Sequence, residues 1–505
     1  MQKSKFVWYF LVTLVVGILL VVFNTHVIWS TSVDLAHHYA LVFRFFESWH
    51  LVPNDPSLAE MNIYPPGSHM AAAMVGKAVG SPFLGMHLVA LGSLVLLWVA
   101  CLSILYAAPN RIGPLSAVAL ALLLVINHGA LRVHGAEISG AYHYAQLVGQ
   151  ALAFAVLAIA LRTDARLHRT AAYIVLLLAM PVVATVHLLP ALELLGVLAG
   201  LLLLDVVAAQ DNERVRKILV GAALLAIGVA AVVLHPSFAA MRAISAHNGG
   251  VSLGLLGPMW SLALVSLIVV ASVVPLLRAW NRDRAGNVMY KYLAVYGLTI
   301  AGLCLLQMAL RYVNLGSDYA VKKYAYVLAT FLVLRLAMWI GASATARAER
   351  NPRVASLFKR TPIQVGMFGF ALALAVLGCA RMRQDVDTFK VMDFERQLLS
   401  LRENGSLPVP GKPVLVADLE GMHVVINYMF SLAVTHTPRD IVLPYFTTGM
   451  DPGPLAQYGL IATSREHSRF SAAVSCAKAS SASLLVLDAA CVEQSGGAQP
   501  AAASR

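Results

Sequence analysis

The stretch TSVDLAHHYALVFRFFESW begins at Thr31 and sets Asp34, His37, His38, Arg44 and Glu47 directly behind an apolar run. A carboxylate can take a proton from a hydroxyl, and imidazoles can bind hydroxyls or tune a neighbouring acid. The same residues also have a local reading. Leu35, Tyr39, Val42, Phe46 and Trp49 recur at spacings of three and four, which predicts an amphipathic helix lying at a membrane surface. Ser32 or Asp34 would cap that helix. Further along, YPPGSH at 64–69 predicts a rigid turn, because each proline fixes its own φ and forces the residue before it extended. The turn would hold Tyr64 and His69 near the first helix.

Three later stretches collect polar residues in the same way. NHGALRVHGAEISGAYHYAQ carries Arg132, His134, Glu137, Tyr142 and His143. Ionisable residues between two apolar spans point to function by default. A second stretch carries Arg242 and His247, and a third carries Arg311, Asp318, Lys322 and Lys323. Two lysines where a helix opens would suit an anion such as a phosphate; contact with lipid headgroups is the local alternative. No metal site is predicted. His37 and His38 are adjacent and lack the i,i+4 spacing that puts two ligands on one helix face. A divalent ion therefore has no support in the sequence, and phosphate-binding loops of the Walker or GxGxxG type are absent.

The elements that must position these residues are membrane helices. Of 505 residues 59% are hydrophobic and 12% charged, against about 25% charged in soluble domains. Apolar segments fall at 6–29, 82–107, 113–128, 144–162, 171–189, 190–208, 218–235, 257–279, 291–310, 320–341 and 362–380. The expected class is an all-α polytopic membrane protein of about eleven spans. The segment 66–80 is apolar but short, and it reads as a surface helix inside a first exoplasmic loop, 30–81. Starting N-inside, the connections APNRIGP, RTDARLHR, AQDNERVRK, RAWNRDRAGNVMYK and ARAERNPRVASLFKR all face the cytoplasm, and every one carries Arg. The net charge of +12 thus belongs to membrane orientation, and no nucleic-acid partner is expected.

Residues 1–380 form the expected transmembrane domain. Residues 381–505 form an exoplasmic α/β domain, with strands at KPVLVADLEG, DIVLPYF and SLLVLDAACV. Its end, SGGAQPAAASR, is expected to be disordered. Cys101, Cys304 and Cys379 sit in apolar runs as small hydrophobes. Cys476 and Cys491 would pair if the tail faces an oxidising compartment, free thiols being the alternative.

This order of parts resembles the GT-C-type membrane glycosyltransferases, the superfamily of protein mannosyltransferases, aminoarabinose transferases and arabinofuranosyltransferases. Those proteins place an acidic catalytic base at the start of a long first exoplasmic loop, and Asp34 matches it. The YPPGSH turn resembles their "PPL"-like turn. Arg132 and Glu137 are nearest to a second Arg–acid pair, although their spacing is longer than the usual one and Asp34 lacks an adjacent second acid. YAVKKY at 319–324 is similar to a late loop that offers Tyr319, Lys322 and Lys323 to a lipid phosphate.

The resemblance implies a bacterial inner-membrane enzyme with its active site on the periplasmic face. It would move a hexose or pentose, with inversion, from a polyprenyl-phosphate donor to a glycan, lipid or protein hydroxyl. Asp34 would be the base and Glu137 a second acid. Lys322, the first choice, with Lys323, Arg311, Arg242, Arg132 and Tyr319, would meet the phosphate. His37, His38, Tyr64, His69, His134, His143 and His247 would contact sugar or acceptor. The alternatives are a glycan polymerase or oligosaccharide transferase, a flippase for a lipid-linked solute, and a noncatalytic scaffold. A flippase needs polar residues through the bilayer midplane, where the spans offer little beyond Glu193 and Asp205.

Overall fold

The computed structural model describes residues 2–24, 32–108, 112–127, 131–247, 256–280, 288–313, 315–348, 350, 356, 360–379, 387–407, 411–448 and 451–496. Helices dominate up to residue 403. In chain order they are α1 (Gln2–Asn24), α2 (Val33–Glu47), α3 (Gly67–Val79), α4 (Pro82–Leu105), α5 (Ile112–Asn127), α6 (Ala136–Ala141), α7 (Tyr144–Arg166) and α8 (Arg169–Ala184). Then come α9 (Leu188–Val207), α10 (Asp211–Val233), α11 (Pro236–His247), α12 (Leu256–Trp280), α13 (Val288–Tyr312), α14 (Asp318–Ala348), α15 (Thr361–Cys379) and α16 (Thr388–Glu403). The tail adds β1 (Val414–Ala417), α17 (Val424–Ala433), α18 (Arg439–Thr447), β2 (Leu460–Ser464), β3 (Ala477–Ser480), β4 (Leu484–Asp488) and α19 (Ala489–Gln494).

Among the described residues seven helices are long and apolar enough to cross a membrane: α4, α7, α9, α10, α13, α14 and α15. Apolar cores at Val7–Val22, Ile112–Asn127, Arg169–Ala184 and Met259–Val274 are shorter. The chain forms two compact units. The first comprises Met1–Asn24, Ala90–Glu137 and Ala145–Met382; the second comprises Thr25–Val89, Ile138–Tyr144 and Arg383–Arg505.

In the first unit α5 packs against α14 and α15, and α9 packs against α8, α10 and α13. Small residues permit the closest approaches. A methyl group at Gly341 would sit 2.6 Å from the Ser116 backbone nitrogen, so α14 can lie against α5 only with glycine there.

In the second unit α2 packs against α3 and α17. The surface helix expected at Asp34–Trp49 is instead a core helix, with every residue from Leu35 to Phe45 buried. Its polar residues find partners inside the unit. Arg44 shows how. Its guanidinium donates to Asp55 at 2.8 Å, to Ser57 at 2.7 Å, and to the carbonyls of Leu432 and Ala433 at 2.9 and 2.6 Å. Those carbonyls end α17, where a cation satisfies free C=O groups and the helix dipole.

A second anchor is Glu395 on α16. It is buried, and it accepts hydrogen bonds from the Tyr39 hydroxyl at 2.5 Å, the Phe83 N–H at 3.1 Å and the Ser81 hydroxyl. Burial pushes its carboxyl up to about 7, although the three donors pull the other way.

The tail folds as a four-stranded sheet of order β1-β2-β4-β3, with β1 and β2 parallel and the other pairs antiparallel. Two of its expected strands form. The third, DIVLPYF, is helix α18. Its buried residues, Val442 and Tyr445, are three apart, a helical spacing, and Pro444 removes a donor a strand would need. Cys476 and Cys491 form a disulfide. Cys101 and Cys304 are buried free thiols. The side chain of Cys379 and the end of the chain from 497 lie outside the described residues.

Candidate active site

The second unit gathers the residues singled out in the first loop. Ser32 occupies the N-cap position of α2, but its hydroxyl donates to the Ala141 carbonyl at 2.7 Å instead of capping the helix. Asp34 falls in the first turn, where a carboxylate suits the positive end of the dipole. Its Oδ2 lies 3.1 Å from Nδ1 of His143. The carboxylate side chain is 34% exposed while the imidazole is almost wholly buried.

The backbone beside His143 explains its aim. Tyr142 adopts φ +53°, a left-handed conformation that a bulky residue occupies only when its surroundings insist. The Tyr144 N–H closes the bend onto the Tyr142 carbonyl at 2.7 Å. The two tyrosine rings stack, with centroids 6.3 Å apart, and the Tyr144 hydroxyl donates to the Ser68 carbonyl at 2.7 Å. His143 therefore sits on a stretch pinned at both sides.

One turn along α2, His38 Nδ1 meets His69 Nε2 at 2.9 Å, so one ring donates its N–H to the other. Tyr64 and Tyr144 present their rings edge-on to both imidazoles, at 5.4–5.8 Å. Tyr64 is extended, with φ −67° and ψ 144°, as the following proline demands. Burial pushes His69 down to about 3. His37 points elsewhere, to the Tyr428 hydroxyl on α17 at 3.1 Å. Burial and the charge of Arg439 hold it at about 4, against the opposing pull of Asp34 and Glu60. Both rings are neutral at neutral pH, and Tyr64, buried and facing the charge of Asp34, keeps its proton.

The remaining expected residues belong to the first unit. Glu137 is buried. It accepts from the Gly135 N–H at 2.6 Å and pairs with Nδ1 of His134 at 2.7 Å. The His134 N–H in turn donates to Thr330 at 2.8 Å. Lys323 is buried, with its ammonium 3.1 Å from Nε2 of His187 and 4.3 Å from the centre of the Tyr319 ring. Lys322 is half-buried. Arg132, Arg242 and Arg311 are exposed, and Arg311 pairs with Asp318. The side chain of His247 lies outside the described residues. No group of three or more His, Cys, Asp or Glu among the described residues could hold a metal ion.

The partners that sequence reasoning missed are Tyr144, His187, Thr330, Tyr428 and Glu395. Only His187 had a local signal: it precedes LLP at a helix start, and its ring accepts the Leu189 N–H there.

No family model matches the chain, and no curated protein matches it. Among solved structures it is similar to ArnT from Cupriavidus metallidurans bound to undecaprenyl phosphate and to the same protein in its apo state. Identity is 13% and the TM-score 0.42 in both cases, over 99% of this chain and 100% and 99% of those chains. The likeness is one of fold, and at that score no property of ArnT transfers.

Proposed function

We propose that the chain is a membrane glycosyltransferase that moves a sugar from a polyprenyl-phosphate donor to a hydroxyl acceptor on the exoplasmic side of a bacterial inner membrane. The observation that carries the reading is the Asp34–His143 pair: an accessible carboxylate, oriented by a buried imidazole, amid neutral buried histidines and tyrosines. An Nδ1–H of His143 would donate to one oxygen and orient the carboxylate. The other oxygen takes the acceptor's hydroxyl proton as that oxygen attacks the anomeric carbon. The bond from that carbon to the phosphate oxygen breaks with inversion, and the phosphate leaves with the bonding pair. A general base contributes about 10²–10⁴-fold to such a step.

The leaving phosphate gains charge and needs a cation. Lys322 remains the first candidate among the cations expected to meet it. Eleven spans with the N-terminus inside and the tail outside remain the layout that the Arg-bearing connections favour.

The test is a panel of polyprenyl-phosphate sugars incubated with the purified protein, reading donor-dependent release of lipid phosphate. Release that is lost in Asp34→Asn, with an unchanged unfolding transition, is expected. Folded protein that neither binds nor turns over any donor overturns the reading.

A further inference from the structure

Four helix ends meet at one end of the first unit. Tyr9 near the start of α1, Tyr106 just past the end of α4 and Phe368 near the start of α15 set their rings edge-on to one another, with centroids 5.4–5.7 Å apart. The Tyr106 hydroxyl donates to the Gln364 carbonyl of α15 at 2.9 Å. Arg162, one turn before the end of α7, reaches the same place. Its guanidinium donates to the Ser103 carbonyl of α4 at 3.4 Å and interacts electrostatically with Tyr9.

The local reading of Arg162 is a cap for the last carbonyls of α4. That role leaves most of the group unused. A guanidinium has five N–H donors, and the contact with Ser103 is a long one. Arg162 is half-buried, yet among the described residues no carboxylate bears on it. The other charge acting on it is Arg166, of the same sign. Arg169 on α8 shows the contrary case, paired with both Asp164 and Asp205. A cation drawn partly out of water beside a second cation costs free energy that an anion would recover.

The surroundings favour one source of that anion. Trp8 and Phe10 on α1 and Phe370 on α15 are exposed. Exposed apolar residues on helices that enter a membrane meet acyl chains, and Trp and Tyr gather at headgroup level. Tyr9, Tyr106 and Arg162 stand at the rims of their apolar segments, at that level. A basic pocket between membrane helices at this depth fits a lipid headgroup, and a planar guanidinium can hold two phosphate oxygens at once.

We propose that this end of the first unit carries a binding site for an anionic phospholipid. Its phosphate sits on Arg162 with the Tyr9 hydroxyl as second donor, Arg166 lies at the rim, and the acyl chains run along α1 and α15. The site uses no residue of the transferase reaction, so it stands apart from that reading.

Native mass spectrometry of the full-length protein, titrated in detergent with phosphatidylglycerol or phosphatidylcholine, tests this. The wild type should hold one phosphatidylglycerol in preference to phosphatidylcholine. Arg162→Gln should weaken that adduct about tenfold, and Tyr9→Phe, which keeps the ring and removes only the hydroxyl, about threefold. Lys217→Gln removes the same charge from the first turns of α10, where Lys217 pairs with Glu213, and should change nothing. Equal retention of the two lipids overturns the proposal, as does equal weakening by Lys217→Gln. An adduct unchanged in both Arg162→Gln and Tyr9→Phe overturns it too. Inorganic phosphate that displaces the lipid at equal concentration would show a site for a free anion instead, and likewise overturns it.

Discussion

The first turn of α2 and the middle of α16 each bring a carboxylate into the second unit, and the two are held in opposite ways. Glu395 is buried, and three neutral donors occupy its oxygens. On Asp34 the buried imidazole of His143 meets one oxygen, and a third of the side chain is accessible. A carboxylate whose lone pairs are filled by its own fold ties elements together. One that is oriented but left accessible can meet a reactant.

That contrast can be broken by exchange. Asp34→Asn should lower transferase turnover about 10²–10⁴-fold and leave the unfolding midpoint nearly unchanged. A large loss of stability would place Asp34 with Glu395 instead. Glu395→Ala should do the reverse, leaving the Tyr39, Ser81 and Phe83 donors without their acceptor. We expect about 3 kcal/mol of destabilisation in denaturant unfolding, with turnover per folded molecule retained.

The pH dependence sharpens the contrast further. Glu395 titrates at about 7 in the folded chain, against 4.5 when unperturbed. Between those values the folded state binds more protons than the unfolded one. Stability from this group is full below pH 4.5 and declines by about 3 kcal/mol as pH rises to 7. Glu395→Gln should remove that decline. His37 and His69 act with the opposite sign. Their folded values, about 4 and about 3, lie below the ordinary 6.5, so they lower stability as pH falls from 6.5. A wild type whose stability shows no dependence between pH 4.5 and 7 that Glu395→Gln alters would show Glu395 to be ordinary. The smallest effect belongs to His143→Ala. Loss of one hydrogen bond to a charged group should cost about tenfold in turnover.

Much of the helical frame was legible. Apolar runs marked each long helix, and the YPPG turn, the helix after it and two tail strands follow from local chemistry. DIVLPYF was misread because its β-branched residues outweighed a helical spacing of only two buried positions. The surface helix at Asp34 was misread for a different reason. A stripe of apolar residues tells which face is apolar, but not whether a partner also covers the polar face. Here Tyr428, Leu432 and Ala433, nearly four hundred residues away, cover it.

The sequence by itself determined a membrane-embedded helical chain with an acid and histidines placed just after its first apolar run, because hydropathy, proline turns and charge asymmetry act over short stretches. Only the tertiary structure decided which acid is accessible and which is spent on packing. The partners that settle it, His143 for Asp34 and Tyr39, Ser81 and Phe83 for Glu395, lie 109 and more than 300 residues away in the chain. A carboxylate's chemistry is set by those neighbours and by burial, neither of which a local pattern records.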